Sequence, residues 1–267
     1  MKKREGDILI LFLFLALAAC FVLYFSVELV VSVLLFFGLP ALWLSIQMPQ
    51  RIAKSALFTL LFTLPFLFII DHIATLDGAW HVPTQFSFRL FGTIPLEDLF
   101  IGLGVSYLLS LFYEYFFTTQ GKVLGKKMKY FTGGVCFALC LFFSLLFFAP
   151  AFLQISYAYI FLGIIFLVIP IVIFSLYSPK IFLSFLSAIP YFFIFFLAFE
   201  IVGLKLGHWS FPGTHFLGWV QFGTLQFPFE ELLFWIILSP IAFFSYYEFF
   251  NNDRPLLTRR NKHKKDR

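Results

Sequence analysis

GTIPLEDLF at residues 92–100 and FPFEELLF at residues 227–234 share one pattern, a proline followed by two adjacent carboxylates at the head of a long apolar run. The two sets are Pro95, Glu97 and Asp98, and Pro228, Glu230 and Glu231. A proline and acidic residues suit the first turn of any helix, because that turn has unpaired N–H groups and a positive dipole end. Here the pattern occurs twice beside Phe, Leu and Ile, and ionisable groups at membrane depth are usually functional. We predict that the two stretches open two equivalent transmembrane helices and that their four carboxylates are catalytic.

The composition of the chain excludes a soluble fold. Of its 267 residues, 61% are hydrophobic, 12% are charged and 44 are Phe, which is more apolar surface than a domain in water can bury. The net charge of +5 comes from short clusters of Lys and Arg between apolar runs, which indicates membrane topology and not nucleic-acid binding. The three Cys form no CxxC motif and have no His at ligand spacing, so we expect neither disulfides nor a metal site.

Apolar stretches of roughly 20 residues, the length that crosses a bilayer, predict eight transmembrane helices and therefore an all-α polytopic bundle. The predicted spans are Ile8–Phe25, Val27–Ile46, Ala56–Ile70, Pro95–Thr118, Tyr130–Ala149, Ile155–Tyr177, Ile181–Val202 and Pro228–Phe250. With eight crossings, every basic residue except Arg89 and Lys205 falls on one side. The positive-inside rule then puts both termini in the cytoplasm of a multi-pass cell-membrane protein, with residues 254–267 as a basic cytoplasmic tail.

The N-terminus is similar to a lipoprotein signal peptide, since basic residues precede an apolar stretch and the sequence LAAC ends at Cys20. We expect it not to be cleaved. The apolar run continues past Cys20 to Phe25, and the internal repeat described next needs this helix.

An internal similarity relates the two halves of the chain at an offset of about 130 residues. The superposed pairs are Pro40 and Pro170, Pro49 and Pro179, Asp71 and Glu200, Gly78 and Gly207, Trp80 and Trp209, and the two acid sets. This similarity predicts a duplicated four-helix unit, with residues 1–125 as the first copy and residues 126–253 as the second. Because four is an even number, the copies should be parallel and related by a pseudo-twofold axis along the membrane normal. The interface between them is the expected place for a pocket.

Asp71 and Glu200 are predicted to close the third helix of each half, nine residues before Trp80 and Trp209. A carboxylate is unfavourable at the negative end of a helix dipole, so something else must hold it there. Each acid is either a second acid or hydrogen-bond partner of the site, or an interface residue that reaches water. The two Trp side chains suit either the stabilisation of a cation by an aromatic face or the aromatic belt of a membrane protein.

Three further ionisable residues have structural predictions. Glu114 and Glu248 lie a full bilayer away from the acid pairs and are expected to pair with the basic loop and tail. His72 has no counterpart in the second half and is expected to be a solvated loop residue.

The motifs of the common cofactor enzymes are missing from the sequence. It has no GxGxxG after a strand-like run, no P-loop, no HExxH, no DDxxD and no Ser-His-Asp constellation. We therefore expect chemistry without flavin, nucleotide, zinc or magnesium. A carboxyl desolvated beside a like charge keeps its proton at neutral pH, and such an acid can donate that proton to an alkene. Adjacent residues on a helix point about 100° apart, so one acid of each pair can face the bundle interior while the other faces a loop.

At these residues the chain resembles the integral-membrane carotenoid cyclases of the lycopene cyclase domain type. The family pattern, a loop W followed by G-x-x-P-x-E-E-x-x-F, is matched by GAWHV…GTIPLEDLF and GHWSF…GTLQFPFEELLF, and the resemblance covers essentially the whole chain in the tandem-fused form. It implies that linear ψ ends of lycopene become β-ionone-type rings by proton-initiated isomerisation, without a cofactor. It assigns Glu97, Asp98, Glu230 and Glu231 as the acid motifs. Two departures are the Asp at 98 in place of a second Glu and the longer Gly-to-Pro spacing in GTLQFP.

The resemblance also implies the partners, which are a carotenoid substrate, the lipid bilayer and further carotenoid-pathway enzymes. It does not fix the ring type, because beta, gamma and epsilon rings differ only in which proton leaves the same cation. The main alternative is a transporter or apolar-ligand-binding protein with a carboxylate-lined site between parallel repeats. A non-catalytic partner subunit is a third reading. The position of the acids at helix starts disfavours the transporter, and the presence of both acid motifs disfavours the subunit.

Overall fold

The structure, a computed structural model, describes residues 2–117 and 127–250. Within these ranges eight helices are long and apolar enough to cross a membrane, which confirms the predicted all-α polytopic bundle. The helices are α1 (Lys2–Phe25), α2 (Leu29–Gln47), α3 (Pro49–Leu76), α4 (Leu96–Phe116), α5 (Lys127–Phe148), α6 (Ala158–Tyr177), α7 (Pro179–Leu206) and α8 (Glu231–Phe250). The predicted tail at 254–267 and the predicted domain boundary between residues 125 and 126 lie outside the described residues.

Helices α3 and α7 are longer than the sequence predicts. Each has 28 residues, which at 1.5 Å per residue is about 42 Å and exceeds the hydrocarbon thickness of a bilayer. The prediction that Asp71 and Glu200 close these helices is wrong, because the helices continue to Leu76 and Leu206. The indole N–H groups of two Trp residues bind these acids, so the carboxylates do not have to leave the helix to find a partner.

Four of the helices contain a π-helical stretch. These stretches are Leu34–Gly38 in α2, Phe66–Asp71 in α3, Ile164–Val168 in α6 and Glu231–Leu238 in α8. One of them ends at Asp71 and another begins at Glu231, so both contain an acid that the sequence predicts for the site. An added residue in a helical turn changes the direction of the side chains that follow, and π-bulges often occur at functional sites for this reason.

Two long loops, residues 77–95 and 207–230, cover one end of the bundle, and we call them together the loop cover. Each loop contains one antiparallel hairpin. The hairpins are β1 (Arg89–Leu90) with β2 (Ile94–Pro95), and β3 (Trp219–Phe222) with β4 (Leu225–Pro228). The loops also pair with each other, since His81 and Ser210 exchange two backbone hydrogen bonds of 2.8 and 2.9 Å. The two loops therefore form one continuous structure.

Two glycines allow the loops to approach this closely. The backbone N–H of Gly213 donates to the carbonyl of Gly78 at 2.9 Å. A Cβ added to Gly213 would lie 2.7 Å from that carbonyl oxygen, and Gly78 has a φ of +71° that disfavours any other residue. A side chain at Gly213 would therefore separate the two loops.

The second loop is also held to the turn between α1 and α2. The Nε2 atom of His208 lies 3.0 Å from the carbonyl oxygen of Val27. Burial lowers the pKa of His208, and this carbonyl and the charge of Glu28 offset part of the effect. A neutral imidazole therefore donates this hydrogen bond at neutral pH.

The opposite end of the bundle is held by polar contacts within the first half and between the halves. Lys54 Nζ lies 2.8 Å from the Glu114 carboxylate, which confirms that Glu114 pairs with the basic loop. The Tyr247 hydroxyl donates to the same carboxylate at 2.7 Å, and the Tyr113 hydroxyl donates to Glu248. Each adjacent Tyr-Glu pair thus contacts the other pair across the interface, so α4 and α8 are joined by two reciprocal hydrogen bonds.

Other local features are matched between the halves at the predicted offset. Gly78 and Gly207 both have a φ of +71°, and each acid of the third helix binds the Trp nine residues later. These features agree with a duplicated unit, and the duplication itself stays a prediction.

Candidate active site

A cavity of about 280 Å³ lies between α3, α4, α6, α7 and α8, directly beneath the loop cover. Its volume is near the lower limit of small-molecule pockets. Most of its lining is apolar, with aromatic side chains from both halves of the chain. Four carboxyl residues also line it, two from each half: Asp71, Asp98, Glu200 and Glu231. The pocket therefore lies between the halves, where the repeat argument predicts it.

The first carboxyl pair consists of Asp71 on α3 and Asp98 on α4, whose side chains share a hydrogen bond. Two carboxylates have only acceptors, so this contact requires a proton on one of them. Trp80 Nε1 donates to Asp71 Oδ1 at 2.7 Å. Among the described residues, no donor reaches the Oδ2 atom of either aspartate, and both atoms are shielded from solvent. The pair thus shares one proton at the wall of an apolar cavity.

The second pair consists of Glu200 on α7 and Glu231 on α8, whose side chains also share a hydrogen bond. Trp209 Nε1 donates to Glu200 Oε1 at 2.9 Å. The hydroxyl of Tyr159, on α6, donates to Glu231 Oε2. Both carboxyl groups of this pair therefore receive a hydrogen bond from a third residue, whereas in the first pair Asp71 alone receives one from the described residues.

Glu97 and Glu230, the first acids of the two sequence motifs, do not line the cavity. Both are fully buried and turn towards the loop cover. Glu97 accepts the backbone N–H of Gln85 and the Thr84 hydroxyl, and Glu230 accepts the backbone N–H of Leu217 at 2.6 Å. These contacts give the two acids of each motif different surroundings, as the 100° rotation between adjacent residues requires. One acid holds a loop and the next faces the cavity.

Both predicted Trp residues reach the cavity, but they are packed differently. Trp209 is buried against Gly203, and its ring is tilted by 40° against that of Phe199, with 5.1 Å between ring centroids. Trp80 is half-buried and contacts the ring of Tyr159 edge-on at 5.2 Å. Trp80 therefore links the first carboxyl pair to Tyr159, which donates a hydrogen bond to the second pair.

Two residues near the site differ from what the sequence predicts. His72 is not a solvated loop residue, because it lies within α3, is 4% exposed, and its Nδ1 is 2.7 Å from the Thr93 hydroxyl oxygen. Burial is possible since α3 extends past Asp71 and the first hairpin folds over it. Arg89 counts only as a topology marker in the sequence, yet its charge acts on both Asp71 and Asp98. Its guanidinium is held by the carbonyls of Thr93 and Val82, at 2.9 and 2.5 Å.

Tyr159 is the site residue that the sequence analysis misses. It is one of 11 Tyr in an aromatic-rich chain, and no motif surrounds it. The offset that superposes Pro40 on Pro170 places Leu29 against Tyr159, so the internal similarity gives no signal either.

Within residues 2–117 and 127–250, no three His, Cys, Asp or Glu side chains are grouped so that they could hold a metal ion. The arrangement consists instead of two proton-sharing carboxyl pairs, two indoles and a phenol around an apolar space. The chain matches no protein family model, no curated protein and no solved structure.

Proposed function

We propose that this protein is a carotenoid cyclase that closes a linear ψ end of lycopene or a related polyene into a β-ionone-type ring. The observation that carries the proposal is the cavity, in which two carboxyl pairs face one apolar space. A purely structural acid pair is better placed where water or a cation can reach it, because an unpaired buried oxygen is costly. Acids at the wall of an apolar pocket suit a reaction in which charge forms on a hydrocarbon.

The reaction needs a proton donor, a cation-stabilising environment and a proton acceptor. A protonated carboxyl adds its proton to the terminal double bond, and the resulting carbocation is attacked by an internal double bond to form the ring. A carboxylate then removes a proton from the ring, so the product is an isomer of the substrate. The faces of Trp80 and Trp209 suit the cation in between, since aromatic faces attract positive charge.

The cavity favours one reaction centre over two. Both carboxyl pairs line the same space, and its volume of about 280 Å³ suits one end group of a long polyene. We therefore propose that the two ends of a substrate react in succession at one composite site. On this view, a change to either pair affects the formation of both rings.

The experiment is expression in a bacterium that accumulates lycopene, followed by chromatography of the pigments. The wild type is expected to give monocyclic and then bicyclic product. Asp98→Asn is expected to lower the conversion rate by about 10²- to 10⁴-fold, the range of general acid catalysis. Glu28→Gln is the matched control, because Glu28 is an exposed carboxylate in the turn between α1 and α2.

The proposed enzymatic activity is rejected if lycopene stays unchanged in cells whose membranes contain normal amounts of the wild-type protein. This result would leave the alternative, a transporter or binding protein for an apolar ligand. A monocyclic product from Asp98→Asn at the wild-type rate would reject the single composite site.

We also propose the membrane orientation. Both termini lie in the cytoplasm of a cell-membrane protein, because all basic residues other than Arg89 and Lys205 fall on that side if eight spans cross the bilayer. The loop cover then lies on the outer side. Activity of alkaline phosphatase fused to the C-terminus would contradict this orientation, since the enzyme folds only outside the cytoplasm.

A further inference from the structure

We infer that the two carboxyl pairs have different roles: the Asp71–Asp98 pair supplies the proton and the Glu200–Glu231 pair, oriented by Tyr159, removes it. The inference rests on the proposed cyclisation and adds a direction to it. Asp98 is the donor, Glu231 is the acceptor, and Tyr159 is a positioning residue that acts through Glu231.

The first argument is the supply of hydrogen bonds to each pair. Glu231 Oε2 already accepts the Tyr159 hydroxyl, so this oxygen is an acceptor and presents no proton to the cavity. Asp98 Oδ2 receives no donor from the described part of the chain, although it is shielded from solvent. Asp71 Oδ1 already accepts the Trp80 indole N–H, so Asp98 is the member of the pair that can hold the shared proton without displacing a hydrogen bond. The proton available to an apolar substrate is therefore placed on Asp98.

The second argument is charge. A donor pair that starts with one shared proton ends with two carboxylates, and this state needs a nearby positive charge. Arg89 acts on both Asp71 and Asp98 and is fixed by two backbone carbonyls. An acceptor pair that starts with one shared proton ends neutral and needs no cation. Trp209 and Tyr159 supply the hydrogen bonds that hold the negative charge of the Glu200–Glu231 pair before it receives the second proton.

The third argument is position. The two pairs line the same cavity from different helices, α3 and α4 for the donor and α7 and α8 for the acceptor. A substrate end between them can gain a proton at one wall and lose one at the other. Tyr159 joins the two walls, because it contacts the ring of Trp80 and donates to Glu231.

The proton balance closes over one cycle. The Asp98 O–H bond breaks and a C–H bond forms at the terminal alkene. A ring C–C bond forms at the cation, and a ring C–H bond breaks while an O–H bond forms on Glu231. No electrons leave or enter the polyene. Water returns a proton to Asp98 and takes one from Glu231, which restores the starting state.

The test compares Asp98→Asn, Glu231→Gln and Tyr159→Phe in lycopene-containing membranes, with initial rates at several substrate concentrations and full identification of products. Asp98→Asn should leave unreacted substrate, because no cation forms. Glu231→Gln should still form the cation, but the base that removes the ring proton is lost. Rings with a shifted double bond or hydrated rings should therefore accumulate. Tyr159→Phe should lower kcat about tenfold or more at similar KM, the effect of losing a hydrogen bond to a charged group, and should change the ratio of ring types.

The ratio of ring types separates a positioning role from a structural one, because a loosened fold lowers the rate without moving a base. Tyr191→Phe is the matched control, since the Tyr191 hydroxyl is also buried but lies outside the cavity and has no partner among the described residues. It should leave rate and product ratio unchanged.

Three results would overturn the assignment while leaving the cyclase intact. In the first, both acid variants leave only unreacted substrate. In the second, Asp98→Asn gives altered rings and Glu231→Gln leaves unreacted substrate. In the third, Tyr159→Phe has the wild-type rate and ring ratio. A wild type that converts no acyclic carotenoid would reject the proposed function itself. Removal of one oxygen in Tyr159→Phe is mild enough to give a reading even if an acid variant fails to insert.

Discussion

Replacing Gly203 by Ala tests whether close packing on α7 positions the indole of Trp209. A Cβ added at Gly203 would lie 2.0 Å from Trp209 Cη2 and 2.3 Å from Cζ2. Carbon atoms in contact are about 3.5 Å apart or more, so the indole must move by about 1.5 Å. Its 2.9 Å hydrogen bond to Glu200 would then exceed the usual limit and break.

The expected change in stability has the opposite sign to that of the same substitution at an ordinary helix position. In a helix interior, Gly to Ala stabilises by about 1 kcal/mol. At Gly203 the gain is outweighed by overpacking, which costs about 1–3 kcal/mol, and by loss of the hydrogen bond from Trp209 to a buried acid, which costs about 1.5–3 kcal/mol. We expect a net loss of about 2 kcal/mol or more, which for a chain of this size lowers Tm by roughly 4–8 °C.

The assay is thermal unfolding of the detergent-solubilised protein together with the conversion rate in membranes. A displacement near 1 Å in an active site can lower a rate by about 10²-fold, so activity should fall more steeply than stability. Gly134→Ala on α5 is the control, because a Cβ there meets no atom of residues 2–117 or 127–250 within 4 Å, and it should be neutral or stabilising. In the first half Ala74 lies three residues after Asp71, and Trp80 still binds that acid. If Trp209 can adopt the same arrangement, Gly203→Ala will match Gly134→Ala, and the packing argument is then refuted.

Two further predictions concern buried carboxylates outside the cavity. Glu230→Gln replaces the carboxyl acceptor of the Leu217 N–H by an amide. We therefore expect amide exchange in residues 210–220, measured by mass spectrometry, to become about tenfold faster. Exchange at the wild-type rate would show that Glu230 does not hold the loop. Glu114→Gln removes the carboxylate that pairs with the buried Lys54, which should destabilise the solubilised protein by about 3–5 kcal/mol. Adding Lys54→Met should recover part of that loss, and a double variant less stable than Glu114→Gln would contradict the ion-pair explanation.

The sequence predicts the general architecture because membrane burial has strong signatures. Apolar runs of bilayer length indicate the eight helices. The repeated acid sets indicate the two helix starts that lie at the cavity. The ends of the helices are less well predicted. The sequence places Asp71 at a helix end because the apolar run stops there, but Trp80, nine residues later, supplies the partner that lets α3 continue.

The division within each acid motif could not be read from the sequence. Adjacent acids differ in direction by about 100°, but which of them faces the cavity depends on how each helix is rotated in the bundle. In the structure Asp98 and Glu231 line the cavity, whereas Glu97 and Glu230 accept hydrogen bonds from the loop cover. Tyr159 was beyond prediction for another reason, because its role depends on a contact between α6 and α8 that no local pattern encodes.

The differences between the halves matter more for the proposed reaction than their similarity. Two identical carboxyl pairs around one cavity would have equal affinity for a proton, and a proton would then have no preferred direction of transfer. Arg89 near the first pair and Tyr159 on the second make the two pairs unequal in charge and in hydrogen bonding. In the proposed reaction, a carbocation that forms beside Asp98 therefore meets, across the cavity, a carboxylate that Tyr159 holds in place. An approximately symmetric fold can in this way bind a substrate end between two acids and still carry the reaction forward.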